Sequence, residues 1–524
     1  MSSIPDPLFS QRPRVSSENA LAESASEFRP HTIVVGGGLA GLACAAALGL
    51  RGHRVTLLES RNRLGGRASS FLDATTGEWL DNCQHVTLGC CTNFAKFCRE
   101  VGIDHFFARE DRLIFVGPQG TRHTFAASPL PAPLHLAPAF ARLSYLSWSD
   151  RECLGRGLRT LARTSPDALR GVRFGQWLID HRQTPAAIEN FWHVVLVSAL
   201  SETVDRIDAF HARKVFVDGF LANRLGWEVW LPTVPLDRLY GQELKYWLAE
   251  HGVTLRLNAG VKRIDTDGKD ATGPPTETSR EASDTTQDVQ RRPSVELRTG
   301  ERLTADSVVL AVPQNLVVDL VPELAEWWNR SEGPARLETA PISSVHLWYD
   351  RPITDDRHIT FVGRTSQWLF NRAKIHPAES AEPPAQSAPA ADATWYGQVV
   401  ISASHDVAAR PAKETIDHVV KELAELLPAA RGAQLVRSRL VTEHRAVLAM
   451  LPGVDRFRPG PESPVPGLFL AGDWIQTGWP STMEGAVRSG WLAAEAVLRR
   501  FGNPESLLQP DLPKARLSKW LFGL

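Results

Sequence analysis

The residues best equipped for chemistry in this chain are glycines. After the apolar run Ile33-Val34-Val35 they stand at Gly36, Gly38 and Gly41, a G-x-G-x-x-G spacing followed by the alanine-rich stretch Leu42 to Leu48. Glu59 closes a second apolar run, Val55 to Leu58, 18 residues past Gly41. Strand, turn, helix, strand and acid in this order form a dinucleotide-binding unit. Gly36 permits the tight turn, Gly38 lets the backbone approach a pyrophosphate, and Gly41 lets the helix lie close to the strand. Leu39 and Ala40 open the helix, where free N–H groups meet phosphate oxygens. Glu59, with Ser60 beside it, can accept hydrogen bonds from ribose hydroxyls.

A second glycine turn follows at once: Arg63-Leu64-Gly65-Gly66-Arg67. It adds backbone N–H groups and fixed positive charge next to the first. A third block lies near the other end. Gly467-Leu468-Phe469-Leu470-Ala471-Gly472-Asp473-Trp474 reads as a short buried strand ending in Gly-Asp. After it come Thr477 to Ala486 and an apolar helix to about Leu498.

Together these blocks resemble the FAD-binding elements of the flavin amine oxidase and carotenoid desaturase superfamily. The resemblance implies that the Gly472-Asp473 turn meets the ribitol of FAD. It implies that the helix entered through Thr482, Met483 and Ala486 points its N-terminus at the flavin, where a partial positive charge stabilises a reduced, anionic ring. It also implies an adenine contact from the backbone at Val261. The last of six cysteines is Cys153, so a C-terminal cysteinyl–flavin bond has no donor and FAD is expected to be non-covalent.

The segment Asp81-Asn82-Cys83-Gln84-His85-Val86-Thr87-Leu88-Gly89-Cys90-Cys91 follows the second glycine turn. In this form, taken with Ala471-Gly472-Asp473-Trp474 and Thr482-Met483-Glu484-Gly485-Ala486-Val487-Arg488-Ser489-Gly490, it resembles bacterial hydroxysqualene dehydroxylases, also called squalene-associated FAD-dependent desaturases. The resemblance covers about Thr32 to Leu498 apart from two inserts; Cys83 stands where many relatives have Gly. It implies reduction of an allylic alcohol, hydroxysqualene, to squalene in hopanoid-type lipid synthesis. Hydride would come from reduced flavin, and an acid must protonate the leaving hydroxyl. His85 and Asp81 are the candidate acids and Gln84 the residue between them, with Asp81 also able to cap or orient the loop. A carotenoid desaturase would share every FAD motif and run the redox the other way. An amine oxidase would need an aromatic cage, and a non-catalytic, membrane-associated flavoprotein would bind FAD without turnover.

The elements that must position these residues are scattered along 524 residues, enough for two sizeable cores. The expected fold is α/β: a Rossmann-type FAD domain from 29–110, 231–312 and 461–505, with a mixed α+β substrate domain from 111–230 and 313–460. Val261 to Ile264 starts a hairpin whose expected partners are Val295 to Arg298 and Ser307 to Ala311. Gly175 to Leu200 reads as helix, and Ser343 to Tyr349 and Gln398 to Ala403 as strands. Residues 1–28 read as a disordered lead without a signal-peptide core, and 265–294 and 377–393, rich in Pro, Ser, Thr and Ala, as mobile inserts. Sixteen Trp against five Tyr suit a Trp-rich core or a greasy tunnel.

Net charge is −1, which exerts no pull toward nucleic acid. The cysteines show no C-x-x-C pair or metal-ligand spacing, so no metal is expected. No run approaches the roughly 18 apolar residues of a membrane span. The tail, 506–524, ends in three cations with Trp520, Leu521 and Phe522, a composition suited to an interface or to a docked helix. The expectation is a cytoplasmic protein bound peripherally to the membrane, taking a polyprenoid from the bilayer. Its partners would be squalene-pathway synthases and an electron donor that the motifs do not specify.

Overall fold

Ile33, Val34 and Val35 are buried and β-branched, and they form the centre of a five-stranded sheet. A computed structural model describes residues 29–266, 292–376 and 394–524; the N-terminal lead, most of the first insert and all of the second lie outside the described residues. The sheet contains β1 (His31–Val35), β2 (Arg54–Leu58), β3 (Val253–Arg256), β4 (Ser307–Leu310) and β5 (Leu468–Leu470). Their spatial order is 3-2-1-4-5 and every pairing is parallel. Helices cover it, so the strands read as apolar runs without alternation. The order reverses between β1 and β4, the switch point beyond whose carboxyl ends such sheets bind ligands.

Helix α1 (Leu39–Gly49) is buried from Leu39 to Leu48. It packs against α2 (Met483–Arg500), the helix after β5. Gly490 makes that crossing close: a Cβ there would lie 2.1 Å from the Ala40 carbonyl. The first and last motifs are therefore held together by backbone-to-backbone contact, although more than 400 residues separate Ala40 and Gly490 in sequence.

One expected pairing differs. Val261–Asp265 pairs with Ser294–Leu297, but the third strand of that small antiparallel sheet is Arg302–Thr304. Ser307–Leu310 instead joins the central sheet beside β1. All four of its residues are buried, which a two-sided parallel strand requires and an exposed hairpin edge does not.

The second domain is built on a seven-stranded sheet. Its order is Leu435–Leu448, Thr339–Tyr349, Trp395–Ile401, Trp368–Asn371, His358–Phe361, Leu113–Val116, Arg122–Phe125. The region read as one helix from Gly175 to Leu200 divides in two. Phe174–Asp180 ends before Arg182, whose φ is +51°, and a new helix starts at Pro185 with Thr184 accepting from the Ala187 N–H at 3.1 Å. Trp192 lies fully buried among Phe174, Trp177 and Phe216. The tail is a docked helix, Arg516–Phe522. Its Ser518 hydroxyl donates to Leu221 O at 2.6 Å, and Phe522 and Leu524 pack on Ala162, Val217 and Ala222.

Candidate flavin and substrate site

Three glycines of one motif prove to be glycine for different reasons. Gly36 has φ +110°, and a Cβ there would meet Ala311 O at 2.3 Å. At Gly41 a Cβ would lie 1.9 Å from Gly36 O. These two hold strand, turn and helix together. Gly38 has ordinary dihedrals, and its Cβ would meet nothing nearer than the Gly66 Cα at 3.9 Å. Its side faces open space of the kind a pyrophosphate fills. The N-terminus of α1 has no side-chain cap and no acid in its first turn, so the Leu39 and Ala40 N–H groups remain for an anion.

The second glycine turn lies back to back with the first. Gly65 N–H donates to Gly37 O at 2.9 Å, and a Cβ on Gly66 (φ +62°) would come within 3.0 Å of the Gly38 Cα. Glu59 ties the two turns. Its Oε2 accepts from Gly37 N–H at 2.8 Å, and its Oε1 accepts from Arg61 N–H at 2.8 Å and from the Ser60 hydroxyl at 3.1 Å. Oε2, with a single donor, keeps acceptor capacity for a ribose hydroxyl. Ala259 N–H donates to Glu59 O, and Asn258, at φ +54°, donates to Arg61 O. That turn delivers the buried Val261 to the same end of the cradle. Arg63 lines a hollow of about 160 Å³ beside this turn, with Asn62, Leu64, Asp237 and Leu257.

Arg67 joins the second block to the third. Its guanidinium forms an ion pair with Asp473 and donates to Ala446 O at 2.8 Å. Burial alone would raise the Asp473 carboxyl, but Arg67 and a hydrogen bond from Ser481 hold it below the usual carboxylate range. Gly472, at φ +141°, donates its N–H to the Ser489 hydroxyl at 2.8 Å. Thr482 caps α2 by accepting from Gly485 N–H at 3.2 Å. Met483 and Ala486 form the first turn beside it, half-buried against the α1 core.

Glu484 of the same turn faces away from this cradle. It is 1 % exposed, and its carboxylate accepts from the Asn93 and Phe94 N–H groups at 3.2 and 2.7 Å. Those are the uncapped first amides of helix Thr92–Glu100. One helix thus supplies the other's N-cap. Arg488 completes the arrangement with a 2.6 Å bond to Glu484.

The loop 81–85 is held from the second domain. Asp81 accepts from the Ser70 hydroxyl at 2.6 Å, from Leu236 N–H at 3.0 Å and from Arg372 Nη2 at 2.5 Å. Arg372 also donates to the Gln84 side-chain oxygen and contacts His376 Nδ1 at 3.1 Å. Gln398 reaches Asp81 O at 3.4 Å and the Ser344 hydroxyl at 2.8 Å, and His346 bonds the Tyr396 hydroxyl at 2.7 Å. Every member of this network except Tyr396 is buried.

That geometry separates the three candidate residues. Burial would raise the Asp81 carboxyl, but the Arg372 and His376 charges and two hydrogen bonds bring it below the carboxylate range. Asp81 is therefore ionised and positions the loop; it has no proton to give at neutral pH. Gln84 is spent on Arg372 and on His85 O. His85 alone keeps partial exposure. Its Nδ1 lies 3.0 Å from Cys83 O, a carbonyl that only accepts, so Nδ1 carries the proton and Nε2 presents a lone pair. Burial pushes its pKa below the ordinary histidine value. His85 is thus a neutral imidazole with its acceptor at Nε2.

Beyond the loop, Cys83 and Leu88 pack against an apolar cluster of Leu113, Leu136, Trp227, Val229, Leu231, Phe370, Ile375 and Val400. Phe115, Phe125, Phe220, Ile342 and Trp368 stand there half-buried. Among the described residues no cluster of His, Cys, Asp or Glu could hold a metal ion.

A parallel 3-2-1-4-5 sheet with a double glycine cradle, an acid on its ribose side and a helix N-terminus facing it from the far end of the chain defines a FAD-dependent oxidoreductase. The chain belongs to the family of flavin containing amine oxidoreductases, whose signature matches residues 39–498. It is similar to the 15-cis-phytoene desaturase of Solanum lycopersicum, 25% identical over 484 residues that cover 90% of this chain and 78% of that one. It is also similar to the probable zeta-carotene desaturase of Synechococcus elongatus, 26% identical with coverage of 89% and 98%. In fold it is similar to an oxidoreductase from Methanosarcina mazei (TM-score 0.63, 15% identity, 90% of this chain and 100% of that). A putrescine oxidase bound to putrescine gives a TM-score of 0.61 at 17% identity, again over 90% and 100%.

Proposed function

We propose that this chain exchanges hydride with an allylic carbon of a long polyprenoid hydrocarbon. The observation that carries this reading is the half-buried wall of Phe115, Phe125, Phe220, Ile342 and Trp368 beside the His85 loop, an apolar surface continuous with the cluster that Cys83 and Leu88 pack against. FAD in the glycine cradle supplies the two-electron chemistry. The protein's part is to exclude water with the apolar wall, hold His85 by its Cys83 contact, and move one proton through Nε2.

Two directions of this reaction have separate support. Desaturation removes a hydride and a neighbouring proton from the chain, and a neutral His85 is placed to take that proton; the relatives named for carotenoid desaturation favour it. Reduction of hydroxysqualene to squalene is favoured by the resemblance of the 81–91 and 471–490 segments. In that direction His85 must first be protonated before it can give a proton to the leaving hydroxyl. One experiment separates them. Fully reduced enzyme is incubated without oxygen with hydroxysqualene, and oxidised enzyme with phytoene and squalene, followed by lipid analysis. Squalene in the first arm supports reduction, new double bonds in the second support desaturation, and no product in either sinks the polyprenoid reading. His85→Gln should lower the productive rate about a hundredfold with FAD still bound.

We also infer that the protein binds an anionic membrane surface peripherally, in the cytoplasm. Among the described residues no helix is long and apolar enough to cross a membrane. Trp520 is 77 % exposed on the docked tail. Residues 221–224 link the tail to the loop carrying exposed Leu130 and Leu134: Ala515 donates to Ala222 O, and Arg224 donates to Leu130 O at 2.7 Å. Lys514, Arg516, Lys519 and Arg224 are exposed around these apolar side chains, a pairing suited to anionic lipid. Trp520→Ser with Lys519→Glu should reduce sedimentation with vesicles containing phosphatidylglycerol; equal sedimentation would remove this face as the contact.

A further inference from the structure

The connection from β5 to α2, residues 471–482, carries Gly472, Asp473 and the Thr482 cap, but it has no helix or strand of its own. Its backbone groups must therefore find partners outside the ladder and helix patterns. One side chain supplies donors for four of its carbonyls. Arg458 donates Nη2 to Ile475 O at 2.6 Å and to Asp473 O at 3.2 Å, Nη1 to Trp479 O at 2.8 Å, and Nε to Trp474 O at 3.4 Å. Its side chain is 0% exposed.

The buried charge is balanced. Arg458 Nη1 lies 3.1 Å from Asp455, which also pairs with His211 at 3.2 Å and Arg170 at 2.7 Å. Asp473 is consequently gripped at both ends, its carboxylate by Arg67 and Ser481 and its carbonyl by Arg458. Only a planar fork of five donors can span carbonyls spread around a turn in this way; a lysine offers three donors from one point.

We propose that Arg458 is the positioning residue of the flavin site. It sets the 473–479 turn, and with it the placement of Asp473 and of the α2 N-terminus toward FAD. Through that placement it governs cofactor affinity and flavin potential, although it touches neither cofactor nor substrate. This holds whichever direction the polyprenoid reaction takes.

The test uses the full chain carrying Arg458→Lys or Arg458→Gln. FAD affinity is measured by titrating apoprotein, and the flavin midpoint potential by dye-coupled reduction, with apoprotein melting as the stability control. Arg458→Lys should weaken FAD about tenfold and Arg458→Gln about a hundredfold. Both should make the potential more negative, because the helix N-terminus no longer faces the reduced ring squarely. Variants that melt earlier but keep wild-type affinity and potential would overturn the proposal, leaving Arg458 a purely structural residue. If neither variant folds, Asp455→Asn decides. It loosens the carboxylate that holds the guanidinium beneath the turn, so FAD should bind more weakly and the potential should become more negative, and unchanged affinity and potential would overturn the proposal.

Discussion

The two walls of this active site are made of different material. The phosphate side is backbone: Gly36, Gly38, Gly41, Gly65 and Gly66 bring two turns together, and helix ends supply the N–H groups. The proton side is side chain: His85 is held by a loop whose Asp81 and Gln84 are pinned by Arg372, nearly 300 residues away. A backbone cradle is rigid by exclusion, since at Gly36, Gly41 and Gly65 any larger residue collides. A side-chain pocket is rigid by compensation, since each buried charge needs its partner. The first should fail by losing its ligand, the second by losing stability.

The largest effect expected of that difference is at Gly38. Gly38→Val has room in the protein, because its Cβ meets nothing within 3.5 Å and only Gly66 Cα at 3.9 Å. The variant should therefore fold but purify colourless, read by visible absorbance and melting temperature. Gly41→Val, in the same motif, should not accumulate as folded protein, because its Cβ falls 1.9 Å from Gly36 O. A yellow Gly38→Val protein would break the comparison on the cradle side.

Next comes Arg372→Met. It strands the ionised, buried Asp81 and should destabilise the protein by about 3–5 kcal/mol, measured by urea unfolding. Adding Asp81→Asn should recover part of that loss, since the stranded charge disappears. A double variant no more stable than the single would show that the pair is not a unit.

The same network predicts a pH dependence. Burial lowers His346 from 6.5 to about 3 in the folded protein. Between those values the unfolded chain binds the extra proton, so stability is full above pH 6.5 and falls as pH drops toward 3. Asp81 and Asp473, held below the ordinary 3.8, add their loss only at still lower pH. His346→Gln should flatten the upper part of this acid limb, by about 2 kcal/mol; superimposable curves would argue against a neutral, buried His346.

The smallest effect should come from Glu484→Gln. It weakens the shared cap on Asn93 and Phe94 and should cost about 1–2 kcal/mol with FAD retained. Loss of colour instead would place Glu484 in the cofactor site.

Much of the FAD side was readable in the chain. Phosphate recognition by backbone demands glycine at set spacings and an acid after the second strand, and both leave local traces. Ser307–Leu310 shows the limit of such traces, since a β-branched run does not reveal which neighbour it pairs with. Arg372, His376, Gln398 and Arg458 left no signal at all. They stand in unremarkable segments, and their partners lie far away in sequence.

What the amino-acid order determined by itself, then, is the kind of cofactor and the frame that binds it, because backbone geometry is written in short-range residue choices. Only the folded chain decided which side chains face that cofactor. It made Asp81 an ion-pair partner instead of an acid, left His85 neutral with a free Nε2, and set Arg458 beneath the flavin turn. The reason is physical: charge state and orientation depend on burial and on partners, and these come into being only when distant segments meet.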